Sequence, residues 1–290
     1  APATPAAAIS RTAPAERRMT VENRNNAQEP LLQVRGLSLR FPVKQGLLDI
    51  LMRRPQQAVT AVDDVDLAIY PGECLGLVGE SGCGKSTLAK TIIRIYDPDA
   101  GTVLLDGVDF TALKGKRLQA ARRSVQMVFQ DAVGSFNPRR KIGESISDTL
   151  CRLCGEKKHT AGKETALLLE DVGLPGDYAE KYPHELSGGE CQRAAIARAM
   201  SVHPEILICD EATSALDVSA QAKIVELLMH LRRIHNVSIL FITHDLPLVS
   251  NISDRILIMN EGKLVEEGST EEVITRPKTV YTRRLLDAVC

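Results

Sequence analysis

A glycine-rich segment, Gly79–Ser86, narrows the possible folds of this chain more than any other part of its sequence. The segment reads GESGCGKS and fits the pattern G-x-x-x-x-G-K-[ST] at every fixed position. It follows the apolar run Cys74–Val78 and precedes a predicted helix over residues 85–96. Glycines allow the backbone to curl so that successive N–H groups face phosphate oxygens, and the helix adds the positive end of its dipole. The sequence therefore predicts a strand, a phosphate-binding loop and a helix, in this order.

Two side chains of this loop have a predicted role, and a third has two possible interpretations. Lys85 is expected to reach the β- and γ-phosphates of a nucleotide, and the Ser86 hydroxyl to ligate Mg²⁺. Cys83 has two interpretations. It is either a small residue that the loop tolerates or an oxidation-sensitive thiol whose pKa the helix end lowers.

Four further candidate residues stand where predicted strands end. Asp210 and Glu211 come directly after the apolar run Ile206–Cys209, and Gln130 and His244 end two other strands. Ligands of parallel sheets bind at the carboxyl ends of the strands, so we expect a common site for these residues. Asp210 would join the Mg²⁺ shell, and Glu211 would be the general base for a water that attacks the γ-phosphate. Gln130 would orient this water or contact Mg²⁺, and His244 would hydrogen-bond the γ-phosphate.

The composition limits the class of protein. Lys plus Arg total 36 and Asp plus Glu total 37, so the 290 residues carry a net charge of −1 and no overall basic field for nucleic acid. Aromatic residues make up 3% and tryptophan is absent, which disfavours a stacking platform for single strands. No apolar run approaches the roughly 18–20 residues that span a bilayer, so other chains would have to provide any membrane crossing.

The chain divides into an N-terminal arm and a folded part. Residues 1–30 are rich in Ala, Pro, Arg and Asn, which predicts a disordered arm. From residue 31 onward, short apolar strands alternate with helices, a pattern typical of a parallel sheet covered on both faces. Residues 43–58 interrupt this pattern, either as a hairpin insertion or as a helix that contacts a partner.

A second segment with the properties of an anion site is Leu186–Glu190, which reads LSGGE and precedes the amphipathic helix Cys191–Met200. A serine and two glycines at the start of a helix favour anion binding. The span from Ser187 to Asp210 (210 − 187 = 23) is too short for a second phosphate-loop domain. The sequence therefore predicts that this helix end contacts a nucleotide held by another subunit.

Together and in this order, these segments resemble the nucleotide-binding subunit of an ABC transporter. The set consists of the phosphate loop, Gln130, LSGGE, the run ILICDE at residues 206–211, Ser214–Asp217 and His244. The resemblance covers residues 31–290. It implies an α/β fold, a P-loop NTPase with a RecA-like core, an antiparallel β subdomain and a helical subdomain near residues 135–195. The C-terminal family tail would occupy residues 265–290.

The resemblance also implies a dimer of such subunits that closes head to tail over two ATP molecules. Ser187, Gly188 and Gly189 would contact the γ-phosphate bound by the other subunit, with Asp217 across the interface. Glu190 stands where glutamine is usual, a change that we expect the site to tolerate. The implied nucleotide-binding residues are Phe41, which would stack on adenine, Gly79, Glu80, Ser81, Gly82, Cys83, Gly84, Lys85, Ser86, Thr87, Ser187, Gly188, Gly189 and Glu190. The implied catalytic residues are Glu211, His244 and Gln130, and the implied Mg²⁺ ligands are Ser86, Gln130 and Asp210.

Finer features resemble the importers of oligopeptides, dipeptides and nickel. They are Phe129–Ala132, with alanine in place of the usual proline, Ser135–Arg139, Tyr182–Glu185 and Tyr281–Leu286. This resemblance implies a subunit that hydrolyses ATP with Mg²⁺ to power import of a peptide, or of nickel or a metal chelate. Some members carry an iron–sulfur cluster near the C-terminus, but Cys290 stands alone there and we expect no cluster.

The same resemblance implies the partners and the location. The partners are a second ATPase subunit of different sequence, two integral-membrane permease subunits and, indirectly, an extracytoplasmic solute-binding protein, with no nucleic acid. The subunit would lie peripherally on the cytoplasmic face of the inner (plasma) membrane. Residues 131–150, beside Gln130, would receive a helix of the permease.

Two alternatives stay open. One is a soluble ABC ATPase that acts in DNA repair or on ribosomes, although no second cassette or coiled-coil insertion is evident in the sequence. The other is a regulatory ATPase subunit with an inert site, paired with a more active partner. The presence of Lys85, Gln130, Asp210, Glu211 and His244 argues against an inert site.

Overall fold

The computed structural model describes residues 29–42, 58–214 and 216–288. The predicted arm over residues 1–30 lies outside the described residues except for Glu29 and Pro30. The interruption predicted at residues 43–58 also lies outside the described residues except for Ala58. Ala215 and Cys290 lie outside them as well.

Strands and helices alternate along most of the described chain. The strands are β1 (Leu32–Pro42), β2 (Ala58–Ile69), β3 (Cys74–Val78), β4 (Ala100–Leu105), β5 (Val108–Asp109), β6 (Val125–Val128), β7 (Ile206–Asp210), β8 (Ser238–Thr243), β9 (Arg255–Asn260) and β10 (Lys263–Ser269). The helices are α1 (Lys85–Ile92), α2 (Gly115–Ala121), α3 (Ile142–Thr149), α4 (Lys158–Asp171), α5 (Gly188–Met200), α6 (Val218–His235), α7 (Leu246–Ile252), α8 (Thr270–Thr275) and α9 (Val280–Asp287). A π-helical turn, Leu150–Cys154, extends α3.

A six-stranded sheet in the order β10-β9-β3-β8-β7-β6 carries the site. The strands β3, β7 and β8 are buried along their whole length, as their uninterrupted apolar sequences predict for a sheet covered on both faces. They pair in parallel, with Cys74 opposite Ile239 and Ile206 opposite Ser238, and only the β10–β9 pair is antiparallel among the described strands of this sheet. The carboxyl ends of β3, β6, β7 and β8 therefore meet at one edge.

A second, antiparallel sheet has the order β2-β1-β4-β5. Along β1, Leu32, Val34, Leu37 and Leu39 are buried while their neighbours are more exposed, because successive side chains of a strand point to opposite faces. These residues share one apolar cluster with Leu88 and other residues of α1 and of the larger sheet. The packing places the amino-terminal sheet beside the phosphate loop.

The helices α3, α4 and α5 pack on one another. Ile146, Leu169 and Ile196 are buried, one from each helix, and belong to a single apolar cluster. The boundaries of the helical subdomain near residues 135–195 and of the tail over residues 265–290 stay predictions. Within the described ranges, no helix is both long enough and apolar enough to traverse a bilayer.

The elements differ from the predicted ones at several points. The helix predicted over residues 85–96 ends at Ile92, since Arg94 has a positive φ of 59° that a right-handed helix does not contain. The sequence interpretation also missed β5, β10, α2, α8 and α9, which are short or lack a regular apolar period.

Candidate nucleotide-binding and hydrolysis site

The phosphate loop connects β3 to α1 and depends on its glycines. Gly84 has a φ of 111°, and a Cβ atom there would lie 2.2 Å from the carbonyl oxygen of Ala61. A Cβ atom at Gly79 would lie 2.2 Å from the carbonyl oxygen of Met259. Both neighbours are backbone atoms of other strands, so only glycine allows the loop to pack this closely.

Lys85 lies at the centre of the loop. Its side chain is only 3% exposed, and its ammonium donates to the carbonyl oxygens of Gly79 at 2.7 Å and of Glu80 at 2.8 Å. A single positive charge thus stands inside the curl of the loop, where phosphate oxygens are expected. This arrangement is the one expected for an anion site, and phosphate binding by Lys85 and the loop glycines stays a prediction.

Cys83 is 8% exposed, with its Sγ atom 3.8 Å from the Lys85 Nζ atom. Burial raises the pKa of the Cys83 thiol, and the nearby ammonium lowers it by less. The interpretation of Cys83 as a thiol with a lowered pKa is therefore wrong, because desolvation outweighs the positive charge. The small-residue interpretation agrees with its packed position.

Asp210 and Ser86 meet beside the loop. The Ser86 hydroxyl donates to the Asp210 carboxylate over 2.8 Å, and Asp210 is only 3% exposed. Burial raises the pKa of Asp210, and the hydrogen bond from Ser86 lowers it by less. A hydroxyl and a carboxylate at this position are the oxygen ligands that Mg²⁺ prefers, so the residues fit that ion.

Glu211 lies between two other candidate side chains at the same sheet edge. Its carboxylate accepts a hydrogen bond from the Gln130 amide at 2.7 Å, and its other oxygen is 3.6 Å from His244 Nδ1. The Gln130 amide also contacts the Ser214 hydroxyl at 3.4 Å. Glu211 has a positive φ of 46°, and its N–H donates to the Ile242 carbonyl oxygen at 2.9 Å. Left-handed backbone at a residue other than glycine is costly, and here a hydrogen bond to β8 holds it.

Lys85, Ser86, Gln130 and Glu211 border one cleft of about 470 Å³, whereas Asp210 and His244 are not among its lining residues. Its wall consists of Val59, Thr60, Ala61, Ser81, Gly82, Cys83, Gly84, Lys85, Ser86, Thr87, Gln130, Glu211, Glu261 and Gly262. Phe41 is 38% exposed and packs edge-on against Tyr96, with ring centroids 5.3 Å apart. It is the register partner of Val59 and stands beside this wall rather than in it. Its role towards adenine stays a prediction.

The segment LSGGE begins α5. Ser187 is the N-cap, and the Glu190 carboxylate accepts from the Ser187 N–H and from its hydroxyl, both at 2.8 Å. The Tyr178 hydroxyl donates to the same carboxylate at 2.9 Å. These hydrogen bonds, from the Ser187 backbone first, lower the pKa of Glu190. The Lys181 ammonium lies 3.3 Å from the centre of the Tyr178 ring and supplies a nearby positive charge. Sequence reasoning missed Tyr178 and Lys181, which no local pattern marks.

The two predicted anion sites border different clefts. Ser187, Gly189, Glu190 and Asp217 line a different cleft of about 420 Å³, which shares no described lining residue with the phosphate-loop cleft. Asp217 caps α6 by accepting from the Ala220 N–H at 2.9 Å. The LSGGE segment and the phosphate loop therefore border distinct clefts of this chain.

The amino-acid sequence is similar to that of several proteins with assigned names. A glutathione import ATP-binding protein from Pectobacterium atrosepticum is 44% identical over 263 residues, which is 90% of this chain and 41% of that protein. The protein of the same name from Shigella boydii serotype 4 is 42% identical over 282 residues, or 97% of this chain and 45% of that protein. The chain thus spans less than half the length of these relatives.

Solved structures share the fold. The dimeric, post-hydrolysis state of the ATP-binding cassette MJ0796 bound to ADP and Pi superposes with a TM-score of 0.71 at 27% identity, covering 82% of this chain and 98% of that one. For cbiO1 from Clostridium perfringens, the TM-score is 0.71 at 24% identity, with 90% and 96% covered, which supports the fold alone. The predicted α/β fold class, a P-loop NTPase with an antiparallel sheet and a helical part, is confirmed.

The family model described as "ABC transporter" matches residues 62–214, more than half of the 290 residues. This range contains the phosphate loop, Gln130, LSGGE, Asp210 and Glu211. The chain therefore belongs to the ABC transporter family.

Proposed function

We propose that the chain is an ATP-hydrolysing subunit that powers import of a small solute through separate membrane permease subunits. Family membership and relatives named for glutathione import support this proposal. The observation that carries it is the position of the Glu211 carboxylate. It lies between Gln130 and His244 at the mouth of a phosphate loop.

In this proposal each side chain has a distinct part in phosphoryl transfer to water. Lys85 and the N–H groups of the loop hold the phosphates and offset their charge. Glu211 accepts the proton of the attacking water, and Gln130 fixes the orientation of the Glu211 carboxylate through its amide. His244 lies on the other side of Glu211, where its ring can hydrogen-bond the γ-phosphate.

Mg²⁺ is part of the proposal. Ser86 and Asp210 would hold it, with the Gln130 side-chain oxygen as a further ligand. When bound, it would offset charge on the β- and γ-phosphate oxygens. Asp210 is suited to this role because its buried carboxylate has a raised pKa and gains from a cationic neighbour.

The separation of the two anion sites supports a two-subunit arrangement. Ser187, Gly188 and Gly189 of one subunit would contact the γ-phosphate held by the other, with Asp217 at the interface. The dimeric ATP-binding cassette among the structural relatives agrees with this arrangement. A second ATPase subunit of different sequence and two permease subunits would complete the machine, with a solute-binding protein acting indirectly. The subunit would then lie on the cytoplasmic face of the membrane.

For the solute we propose a short peptide. The relatives at 42–44% identity carry names for import of glutathione, a peptide, which favours a peptide over nickel. Phe41 would stack on adenine in the same proposal, beside the cleft wall at Val59. The absence of an iron–sulfur cluster at Cys290 stays a prediction, since that residue lies outside the described residues.

Replacing Glu211 with glutamine tests the hydrolysis step. Glu211→Gln retains an oxygen that can accept from Gln130 but loses the base, so ATP binding should persist. ATP turnover of the complex with its permease should fall by roughly 10²–10⁴-fold, the usual contribution of a general base. The matched control is Glu271→Gln, an exposed carboxylate on α8, which should hydrolyse ATP like the unaltered protein.

The outcomes separate the alternatives. Full turnover by Glu211→Gln would reject the assignment of the base. Unaltered turnover after Lys85→Ala in this subunit alone would favour a regulatory subunit with an inert site. Copurification with ribosomes or DNA, instead of with integral membrane proteins, would favour the soluble ABC ATPase.

A further inference from the structure

The C-terminal helix α9 is anchored to β10 by one buried carboxylate. Glu266 is 6% exposed and accepts hydrogen bonds from the N–H groups of Lys278 at 2.8 Å and Thr279 at 3.0 Å. It also accepts from the Thr282 hydroxyl at 2.6 Å. Three donors on one carboxylate fix the first turn of α9 relative to the central sheet.

This anchor places Tyr281 against the phosphate loop. The Glu80 N–H donates to the Tyr281 hydroxyl oxygen at 3.2 Å, and the Tyr281 ring packs on the main apolar cluster. The carbonyl oxygen of Glu80 accepts from the Lys85 ammonium at 2.8 Å. Both polar backbone groups of Glu80 are therefore engaged. Its N–H bonds to Tyr281, and its carbonyl oxygen bonds to Lys85.

We propose that Tyr281 is a positioning residue for ATP binding, a role that rests on the proposed function. Its hydroxyl fixes the Glu80 backbone at the entrance of the phosphate loop, and with it an acceptor that sets the position of Lys85. Glu80 itself is an exposed loop residue, and without Tyr281 its N–H would bond water in a looser arrangement. A loop that is ordered before ATP arrives loses less conformational entropy on binding.

Tyr281→Phe removes only the hydroxyl and keeps the ring in the apolar cluster. Loss of one hydrogen bond should weaken binding of ATP with Mg²⁺ by roughly two- to tenfold. In the assembled complex we expect the KM for ATP to rise by the same factor while kcat stays unchanged. The Tm without nucleotide should fall only slightly, because the ring stays packed and a single hydrogen bond at an exposed loop residue is lost. Tyr70→Phe is the matched control, because Tyr70 precedes the amino end of β3, at the opposite sheet edge. It should bind ATP like the unaltered protein.

A double-variant cycle separates positioning from general stabilisation. Glu266→Gln weakens the anchor of α9 without touching the loop, and it should weaken ATP binding through Tyr281. Its effect on ATP affinity should therefore shrink in the Tyr281→Phe background, whereas independent structural effects would add. Additive effects, or a kcat loss without a change in KM, would overturn the proposal.

Lys85→Ala distinguishes a failure of the positioning role from a failure of the proposed function. Loss of ATP binding by Lys85→Ala together with unchanged binding by Tyr281→Phe would overturn the positioning role alone. Unchanged ATP binding by Lys85→Ala would instead overturn the proposed function on which that role rests.

Discussion

Replacing Arg198 with lysine tests how firmly the LSGGE helix is joined to the segment after Gln130. Arg198 lies in the last turn of α5 and donates to the carbonyl oxygen of Ser135 at 2.8 Å and to the Ser135 hydroxyl at 2.9 Å. Its guanidinium also lies 4.3 Å from the centre of the Phe136 ring. One side chain thus connects the helix that begins with LSGGE to the loop that follows Gln130.

The size of the effect follows from these contacts. A hydrogen bond from a charged donor contributes about 1.5–3 kcal/mol. Lysine lacks the planar fork of arginine, so we expect it to keep one of the two hydrogen bonds. The contact with the Phe136 ring contributes about 0.5–2 kcal/mol, and the compact ammonium loses the planar stacking. Burial lowers the pKa of Arg198, so the cost of a desolvated cation remains in the lysine variant. We expect Arg198→Lys to lower the free energy of unfolding by about 2–4 kcal/mol.

Guanidinium chloride unfolding, followed by circular dichroism, measures this loss as a lower midpoint at unchanged slope. The control is Arg193→Lys on the same helix. Its guanidinium makes one 3.3 Å hydrogen bond to the carbonyl oxygen of Gly173, at an exposed position. We expect the Arg193→Lys control to lower the free energy of unfolding by less than about 1 kcal/mol. Equal losses for the two variants would refute the assignment of the connecting role to Arg198.

Two further outcomes follow from the site. Gly84 and Gly82 both have a positive φ, of 111° and 84°, so an alanine strains the backbone at either position. Gly84→Ala should abolish ATP binding, because its Cβ would also overlap the Ala61 carbonyl, whereas Gly82→Ala has nothing within 4 Å of its Cβ and should retain more. Equilibrium titration with ATP and Mg²⁺ ranks the two variants, and equal losses would contradict the packing argument. Asp210→Asn should raise the Tm at neutral pH without nucleotide and abolish hydrolysis. Burial raises the folded-state pKa of Asp210, so its ionised form destabilises the fold above that pKa, and the penalty disappears as the pH falls below it. The gain in Tm should therefore vanish in acid; a gain independent of pH would exclude this cause.

The parts of the fold that follow from local sequence were predictable. The strands β3, β7 and β8 are uninterrupted apolar runs, which is how a doubly covered parallel strand appears in sequence. Parallel strands bring their carboxyl ends to one edge, so the meeting of Gln130, Glu211 and His244 followed from the places where their strands end. The roles of these residues remain proposals that the variants above test.

Contacts between distant segments could not be predicted in the same way. Tyr178 lies in the short helical turn Gly176–Glu180, which packs on α3 and α4, and from there its hydroxyl reaches Glu190 on α5. The sequence indicated a carboxylate in the LSGGE segment but not the hydroxyl and the cation that surround it. The environment of Glu190 therefore depends on packing, and a local pattern carries no information about it.

The contact of Tyr281 with Glu80 shows why such residues escape sequence reasoning. The two residues are 201 positions apart, and their distance depends on the register of β10 against β9 and on the three donors that Glu266 binds. A shift of one residue in β10 would turn Glu266 to the other face and release α9. The contact of the tail with the phosphate loop therefore depends on β10, a strand whose sequence pattern was too irregular to predict. For this reason, variants of Glu266 and Tyr281 should behave as one unit, although neither lies in a nucleotide-binding motif.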